Sequence, residues 1–133
     1  MNEMHLMVKK EAIWILTNMT FETGNCHDLT NRGVPQHMIN LLQLHFLSQD
    51  SRSLLDLELE LLVDLLWFTA NSATEEPIAI IYSDEMLEQI LFQITMKYHT
   101  QFKSKHWRLI MWNLRMMARS LPVVQSQDTK SYI

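Results

Sequence analysis

Glycine and proline are scarce in this chain, and their scarcity limits what it can fold into. The 133 residues contain 2 glycines and 3 prolines, against about 9 and 7 at average usage. Antiparallel sandwiches and barrels need these residues at their many tight turns. The ten methionines and the many leucines are instead good helix formers. The sequence therefore predicts an all-α fold, and its length suits one domain.

Cysteine usage and hydropathy predict the compartment. Cys26 is the single cysteine, which excludes an intramolecular disulfide and is typical of a reducing compartment. The most apolar stretch, residues 61–70, carries Asp64 and is shorter than the roughly 20 residues that a membrane-spanning helix needs. We therefore expect a soluble intracellular protein without a membrane partner.

Charge is segregated along the chain. Residues 53–96 contain nine acids and no lysine or arginine, whereas residues 97–119 contain six basic residues and no acid. This segregation allows a cationic partner at the middle of the chain and an anionic partner near its end. The simpler interpretation, which we prefer for most of these residues, is two solvated helix faces.

Apolar residues recur at helical spacing in three long segments, with shorter helices between them. The long helices are predicted at residues 4–20, 54–73 and 104–120, and the shorter ones at 26–31, 36–46, 75–82 and from about 84 to 98. Gly24 is expected to end the first helix, Thr74 to cap the helix at 75–82, and Ser83 or Asp84 to cap the next. We expect a repeat domain at 1–120, divided into a partial repeat at 1–24 and repeats at 25–73 and 74–120, and a flexible tail at 121–133.

The spacing of three tryptophans predicts the architecture. Trp14, Trp67 and Trp112 lie near the centres of the long helices, 53 and 45 residues apart. HEAT and armadillo repeats have periods of about 40–47 residues. The second spacing fits, and the first fits if the polar loop at residues 48–53 is an insertion. We therefore predict an armadillo-like α-solenoid of two repeats plus the last helix of a preceding one.

A Trp-x-x-x-Asn motif occurs in two of the long helices, as Trp14 with Asn18 and as Trp67 with Asn71. The spacing puts both side chains of each pair on one helix face, one turn apart. An indole can hold the aliphatic stem of a lysine or arginine, and an asparagine amide can bond to a peptide backbone in both directions. A core tryptophan is the simpler interpretation, but an asparagine one turn away would need buried partners.

These segments resemble the importin-α family of armadillo adaptors, which carry nuclear localisation signals. The resemblance rests on KKEAIWILTNMTFETGN at residues 9–25 and LLWFTANSATEEP at residues 65–77. It implies a groove in which Trp14, Trp67 and Trp112 hold basic side chains while Asn18 and Asn71 hold the peptide backbone. It also implies a role in nuclear protein import, in the cytoplasm and nucleus, without a cofactor or metal.

The family also places acids beside the groove, and the candidates by sequence position are Glu22, Asp64, Glu75 and Glu76. The third long helix departs from the pattern, because Met116 stands where an asparagine is expected and Arg115 adds a positive charge. The chain also has fewer repeats than the roughly three that a solenoid needs to bury its faces. We therefore expect a homo-oligomer, or another protein that covers the solenoid ends.

Other function classes have less support. The six histidines are scattered without an i,i+4 pair, and the chain has no HExxH, no CxxC and no glycine-rich phosphate loop, so we predict that it is not an enzyme. Tyr98, Phe102 and Trp107 among the basic residues of 97–119 are compatible with single-stranded nucleic acid, but an aromatic core face is the better interpretation. A helical scaffold without peptide binding is the main alternative.

Overall fold

The computed structural model describes residues 3–48 and 52–120, and within them the chain is helical without a strand. This confirms the all-α prediction. The tail predicted at 121–133 lies outside the described residues. No helix of the described residues combines the length and the apolar character that crossing a membrane requires.

The helices follow the chain with short connections. They are α1 (Glu3–Met19), α2 (Thr23–Asn31), α3 (Val34–Leu42), a π-helical segment (Gln43–Leu47), α4 (Asp56–Ser72), α5 (Glu76–Asp84), α6 (Leu87–Tyr98), a 3₁₀ turn (His99–Gln101) and α7 (Ser104–Ser120).

The helix boundaries contain an internal repeat of 53 residues. The first residues of α1 and α4 (3 and 56), of α2 and α5 (23 and 76) and of α3 and α6 (34 and 87) are each 53 apart. The paired helices α1 and α4 both have 17 residues, and α2 and α5 both have nine. A third 17-residue helix, α7, begins 48 residues after α4. The repeated unit is therefore a long, a short and a medium helix.

Two helix ends differ from the prediction. Gly24, expected to end the first helix, lies inside α2, so the boundary expected between residues 24 and 25 falls within that helix. The preceding turn is closed by three backbone bonds, each to the carbonyl three residues earlier, so no glycine is needed there. Ser83 and Asp84, expected to cap α6, end α5 instead, and α6 begins at Leu87.

The long helices pack in a row, with α4 packed against both α1 and α7. On the other side of α4 are α3 and α5, and α6 packs against α5 and the π-helical segment. The core is built from the leucines of α4 together with residues of every other helix, including Phe46, Tyr82 and Leu91. Because α4 is enclosed by its neighbours, almost all of its side chains between residues 61 and 73 are buried.

A buried ionic cluster holds the first turn of α4 to the π-helical segment. The Glu58 carboxylate accepts hydrogen bonds from both Arg52 guanidinium nitrogens (2.8 and 2.7 Å), from His45 Nε2 (2.8 Å) and from the Leu55 backbone N–H (3.0 Å). Its side chain is 2% exposed. The Arg52 bond is the main cause that lowers the pKa of Glu58 to about 2, and burial opposes it. The cluster fixes the path of residues 52–55 into α4.

The π-helical segment is anchored by α6 and by the 3₁₀ turn. The Phe46 carbonyl accepts hydrogen bonds from Tyr98 Oη (2.7 Å) and Lys97 Nζ (3.1 Å). The Gln101 side chain accepts a bond from the Leu54 backbone N–H (2.8 Å) and donates one to the Leu54 carbonyl (3.0 Å). The connection that makes the first unit longer is therefore bonded to the second unit.

The residue before α3 and the residue before α6 share one backbone conformation. Gly33 has φ 72° and Met86 has φ 59°, both left-handed, and the two positions are 53 residues apart. A residue with a Cβ atom pays roughly 1–2 kcal/mol for this conformation, whereas glycine does not. The repeat thus demands the same turn twice, and only its first copy has the residue suited to it.

We expect Met86→Gly to raise the free energy of unfolding by up to about 1 kcal/mol and Gly33→Ala to lower it by about 1 kcal/mol. Met86 is exposed, so little packing is lost. Urea unfolding followed by circular dichroism measures both changes. The control is Met96→Gly, an exposed methionine inside α6, which should cost about 1 kcal/mol. Equal losses for Met86→Gly and Met96→Gly would contradict the expectation.

Candidate functional site

The row of long helices brings the two Trp-x-x-x-Asn motifs onto neighbouring helices. An ion pair joins α1 to α4, with Lys10 Nζ 3.3 Å from Asp64 Oδ2. Lys10 is four residues before Trp14, and Asp64 is three residues before Trp67, so the pair joins equivalent turns of the two motifs. The motif-bearing parts of α1 and α4 are therefore adjacent.

Trp67 also meets the third long helix. Its ring lies edge-on to that of Trp112, with the ring centroids 5.0 Å apart and an interplanar angle of 82°. This is a favoured geometry for an aromatic pair. Trp112 is half-buried, while Trp67 is 40% exposed. Two of the three predicted tryptophans thus form one aromatic pair between α4 and α7.

The exposure of Trp67 is unusual for its helix. Within residues 61–73, all of them described, it is the single residue that is exposed. A polar side chain would suit this position if solvation were all that mattered, because burial elsewhere on α4 already supplies the core. A large indole here offers an apolar surface to solvent. Exposed aromatic residues of this kind are typical of binding sites.

The first motif is more open than the second. Trp14 on α1 is 52% exposed and Asn18 is also exposed. Residues on the opposite side of α1, among them Leu6 and Ile13, make the buried contact with the rest of the protein. Trp14 and Asn18 are therefore surface residues of the same helix face.

Asn71 has an unused amide. It is half-buried on α4, and its Nδ2 is buried without a hydrogen-bond partner among the described residues. Asn113 on α7 is the opposite case: its Nδ2 donates to the carbonyls of Leu66 (3.0 Å) and Leu109 (2.8 Å), and its Oδ1 accepts a bond from Thr69. Asn113 is a structural asparagine, whereas Asn71 keeps bonding capacity for a ligand.

The four predicted acids are placed differently from one another. The Asp64 carboxylate is buried against Lys10, and this burial raises the pKa of Asp64 although Lys10 opposes the effect. Glu22 and Glu76 are exposed at the starts of α2 and α5. Glu75 lines a small depression between those two helices, beside Cys26. Only Asp64 therefore lies on one of the three long helices.

Two acids that the sequence analysis did not single out lie on the exposed stripe of α4. Asp56 and Glu60 are exposed, eleven and seven residues before Trp67, and so on the same helix face. They line a shallow depression with Lys103 and Lys105 of α7. The spacing relative to Trp67 was a usable signal, but seven other acids in the same stretch obscured it. The face is thus acidic along α4 and basic along the start of α7.

Comparisons with known proteins do not assign this face. No protein-family model, curated protein or solved structure matches the chain. The described residues contain no group of three or more histidine, cysteine, aspartate or glutamate side chains arranged to hold a metal ion. The function is therefore argued from the geometry of the residues.

Proposed function

We propose that this chain is an armadillo-like α-solenoid segment that binds basic, extended peptides across α1, α4 and α7, as a nuclear import adaptor of the importin-α type does. The observation that carries the proposal is Trp67, an exposed indole on an otherwise buried stretch of α4, in contact with Trp112 and one turn before an asparagine with an unused amide. Such an adaptor works in the cytoplasm and the nucleus.

The internal repeat supports the solenoid. A unit of a long, a short and a medium helix occurs twice with the same helix starts, and the long helices stand side by side. Armadillo repeats contain two or three helices each, with periods of about 40–47 residues. The spacing of 45 between Trp67 and Trp112 falls within that range. The longer spacing of 53 reflects the π-helical segment and the connection that follows it.

The chemistry of the face suits a lysine-rich or arginine-rich peptide. The exposed indole of Trp67 can pack against the aliphatic stem of a basic side chain and attract its charge. Asp56 and Glu60 add negative charge on the same side of α4. The Asn71 amide can bond to the peptide backbone after rotating about its Cβ–Cγ bond. Recognition thus combines side-chain charge with backbone direction.

A titration with a lysine-rich localisation-type peptide tests the proposal directly. The matched control is a scrambled peptide of the same composition and charge. We expect the localisation-type peptide to bind more tightly, because the tryptophans and Asn71 select for spacing as well as charge. Tryptophan fluorescence reports the contact with Trp14 or Trp67. Equal binding of both peptides would reduce the interaction to general attraction by acidic residues and would overturn the proposal.

The third long helix should bind a peptide less well than the other two. Met116 cannot make the two-way amide bond of an asparagine, and Arg115 is exposed nearby and repels an incoming lysine. We expect Met116→Asn to improve peptide affinity by about 0.5–1.5 kcal/mol. Arg115→Ala should also improve it, with a gain that shrinks at high salt while the Met116→Asn gain persists.

The control for this prediction is Met111→Asn, an exposed methionine on the same helix. It should leave peptide affinity unchanged, because Met111 lines the side of α7 that faces α6. Isothermal calorimetry at low and high salt measures all three variants. No gain from either Met116→Asn or Arg115→Ala would show that α7 does not line the peptide-binding face.

A further inference from the structure

We propose that copies of this chain associate head to tail, with the outer face of α1 from one copy docked in the groove between α6 and α7 of another. This inference concerns surfaces other than the peptide-binding face and does not depend on the proposed function. It commits to a second copy as the partner because the two surfaces complement each other in shape, apolar character and charge.

The outer face of α1 is an apolar stripe without a partner in the chain. Met4, Val8 and Ile15 recur at helical spacing and are 72%, 64% and 59% exposed. The buried side of the helix, with Leu6 and Ile13, packs against the rest of the protein. A monomer would leave this stripe in water, which is unfavourable for contiguous apolar surface.

The groove between α6 and α7 is the matching surface. It has a volume of about 680 Å³ and an apolar lining that includes Phe92, Trp107, Met111 and Leu114. Phe92 is 66% exposed and Met111 is 56% exposed. Methionine and aromatic side chains of this kind adapt readily to an inserted helix. The groove is therefore suited to receive the side chains of an amphipathic helix.

Charge distinguishes this pairing from others. Glu3 and Glu11 are exposed on the α1 stripe, eight residues apart, whereas Arg108 and Arg115 are exposed beside Met111 on α7, seven residues apart. At 1.5 Å per residue these separations are about 12 and 10 Å, so both pairs can form at once. Glu88 on the α6 side of the groove is an additional acid. Pairing α1 with α1 would instead bring like charges together.

The association would also continue the packing seen inside the chain. The row of long helices is α1, α4 and α7, and its outer members carry the two unpartnered surfaces. An α1 helix placed beside α7 extends the row by one long helix. Because the two surfaces differ, the contact is heterologous, and each copy can engage two neighbours.

Sedimentation velocity of the wild-type chain and two charge-reversed variants tests the inference. Glu11→Lys and Arg115→Glu both change exposed residues, and circular dichroism checks that each variant folds. The wild type should associate as its concentration rises through the micromolar range. Each variant alone should associate about tenfold more weakly or worse, because like charges then meet at the contact.

Mixing the two variants decides between head-to-tail contact and other arrangements. The Glu11→Lys chain keeps an intact groove and the Arg115→Glu chain keeps an intact α1 face, so the mixture should recover association. The double variant Glu11→Lys/Arg115→Glu should recover it as well, because the charges are exchanged together. A monomeric wild type, single variants that associate like the wild type, or a mixture without recovery would each overturn the inference. Trp67→Ala should not alter association, which separates this result from a failure of peptide binding.

Discussion

Replacing Glu58 by glutamine should lower the free energy of unfolding at pH 7 by about 3 kcal/mol. The estimate follows from the pKa of Glu58, which is about 2 in the folded chain against an ordinary value of 4.5, at 1.36 kcal/mol for each pH unit of difference. The carboxylate is buried and bonded to Arg52, His45 and the Leu55 backbone. Glutamine has nearly the same shape but cannot accept charge-assisted bonds from all of them.

The same change should alter the pH dependence of stability. Because the folded pKa of Glu58 lies below its unfolded value, its stabilisation is present above about pH 4.5 and is lost as the pH falls towards 2. Asp64 acts in the opposite sense, since its raised pKa makes its contribution decrease as the pH rises. Asp64 is present in both proteins, so the difference between wild type and Glu58→Gln isolates Glu58.

Urea unfolding at several pH values between 2 and 7 measures this difference. It should be about 3 kcal/mol near neutral pH and approach zero near pH 2. The matched control is Glu60→Gln, an exposed glutamate two residues along the same helix, which should change stability by no more than about 0.5 kcal/mol. A Glu58→Gln difference that stays constant across this pH range would contradict the ionic role of the cluster.

Trp67→Ala should weaken binding of a basic, extended peptide by about 1–3 kcal/mol, or roughly 5-fold to 150-fold. Trp67 supplies the exposed ring of the aromatic pair with Trp112, so its loss removes the wall for a basic side chain. Trp14→Ala should weaken binding over the same range. Because both indoles are substantially exposed, helix content measured by circular dichroism should stay similar.

Matched variants separate a loss of binding from a loss of fold. Trp107→Ala removes an exposed tryptophan on the far side of α7 and should leave peptide affinity unchanged. Asn71→Ala should reduce peptide affinity with little loss of stability, whereas Asn113→Ala should destabilise the fold, because its amide bonds α7 to α4. If Trp14→Ala and Trp67→Ala both unfold the chain, the tryptophans are core residues and the peptide-binding face is wrong.

Much of the helical structure followed from local patterns. The bounds predicted for the last helix, 104–120, agree with α7, and the other long helices differ by one or two residues at each end. Apolar periodicity is strong in these segments, because each helix must present one continuous face to the core. The turns were predicted less well. Met86 in a left-handed turn carries no sequence signal, since glycine is the residue expected there.

The candidate face was partly visible in the sequence. The repeated tryptophans and asparagines stood out because their spacing puts them on one helix face. Which acids join them was not visible, because many acids crowd the same stretch and the choice depends on which side of α4 is covered. Asp56 and Glu60 remain exposed beside Trp67's stripe, while Asp64 is drawn into a buried pair with Lys10.

Residue composition and periodicity were sufficient to define an all-α chain with three long helices, because helix formation depends on neighbours within one or two turns. Other features arise from contacts between residues far apart in the chain. The Glu58 cluster, the partnered Asn113 and the ring contact of Trp67 with Trp112 exist because helices separated by 13 to 47 residues pack together. Burial then determines each polar group's role: a buried amide or carboxylate must find a partner, whereas an exposed one stays available to a ligand.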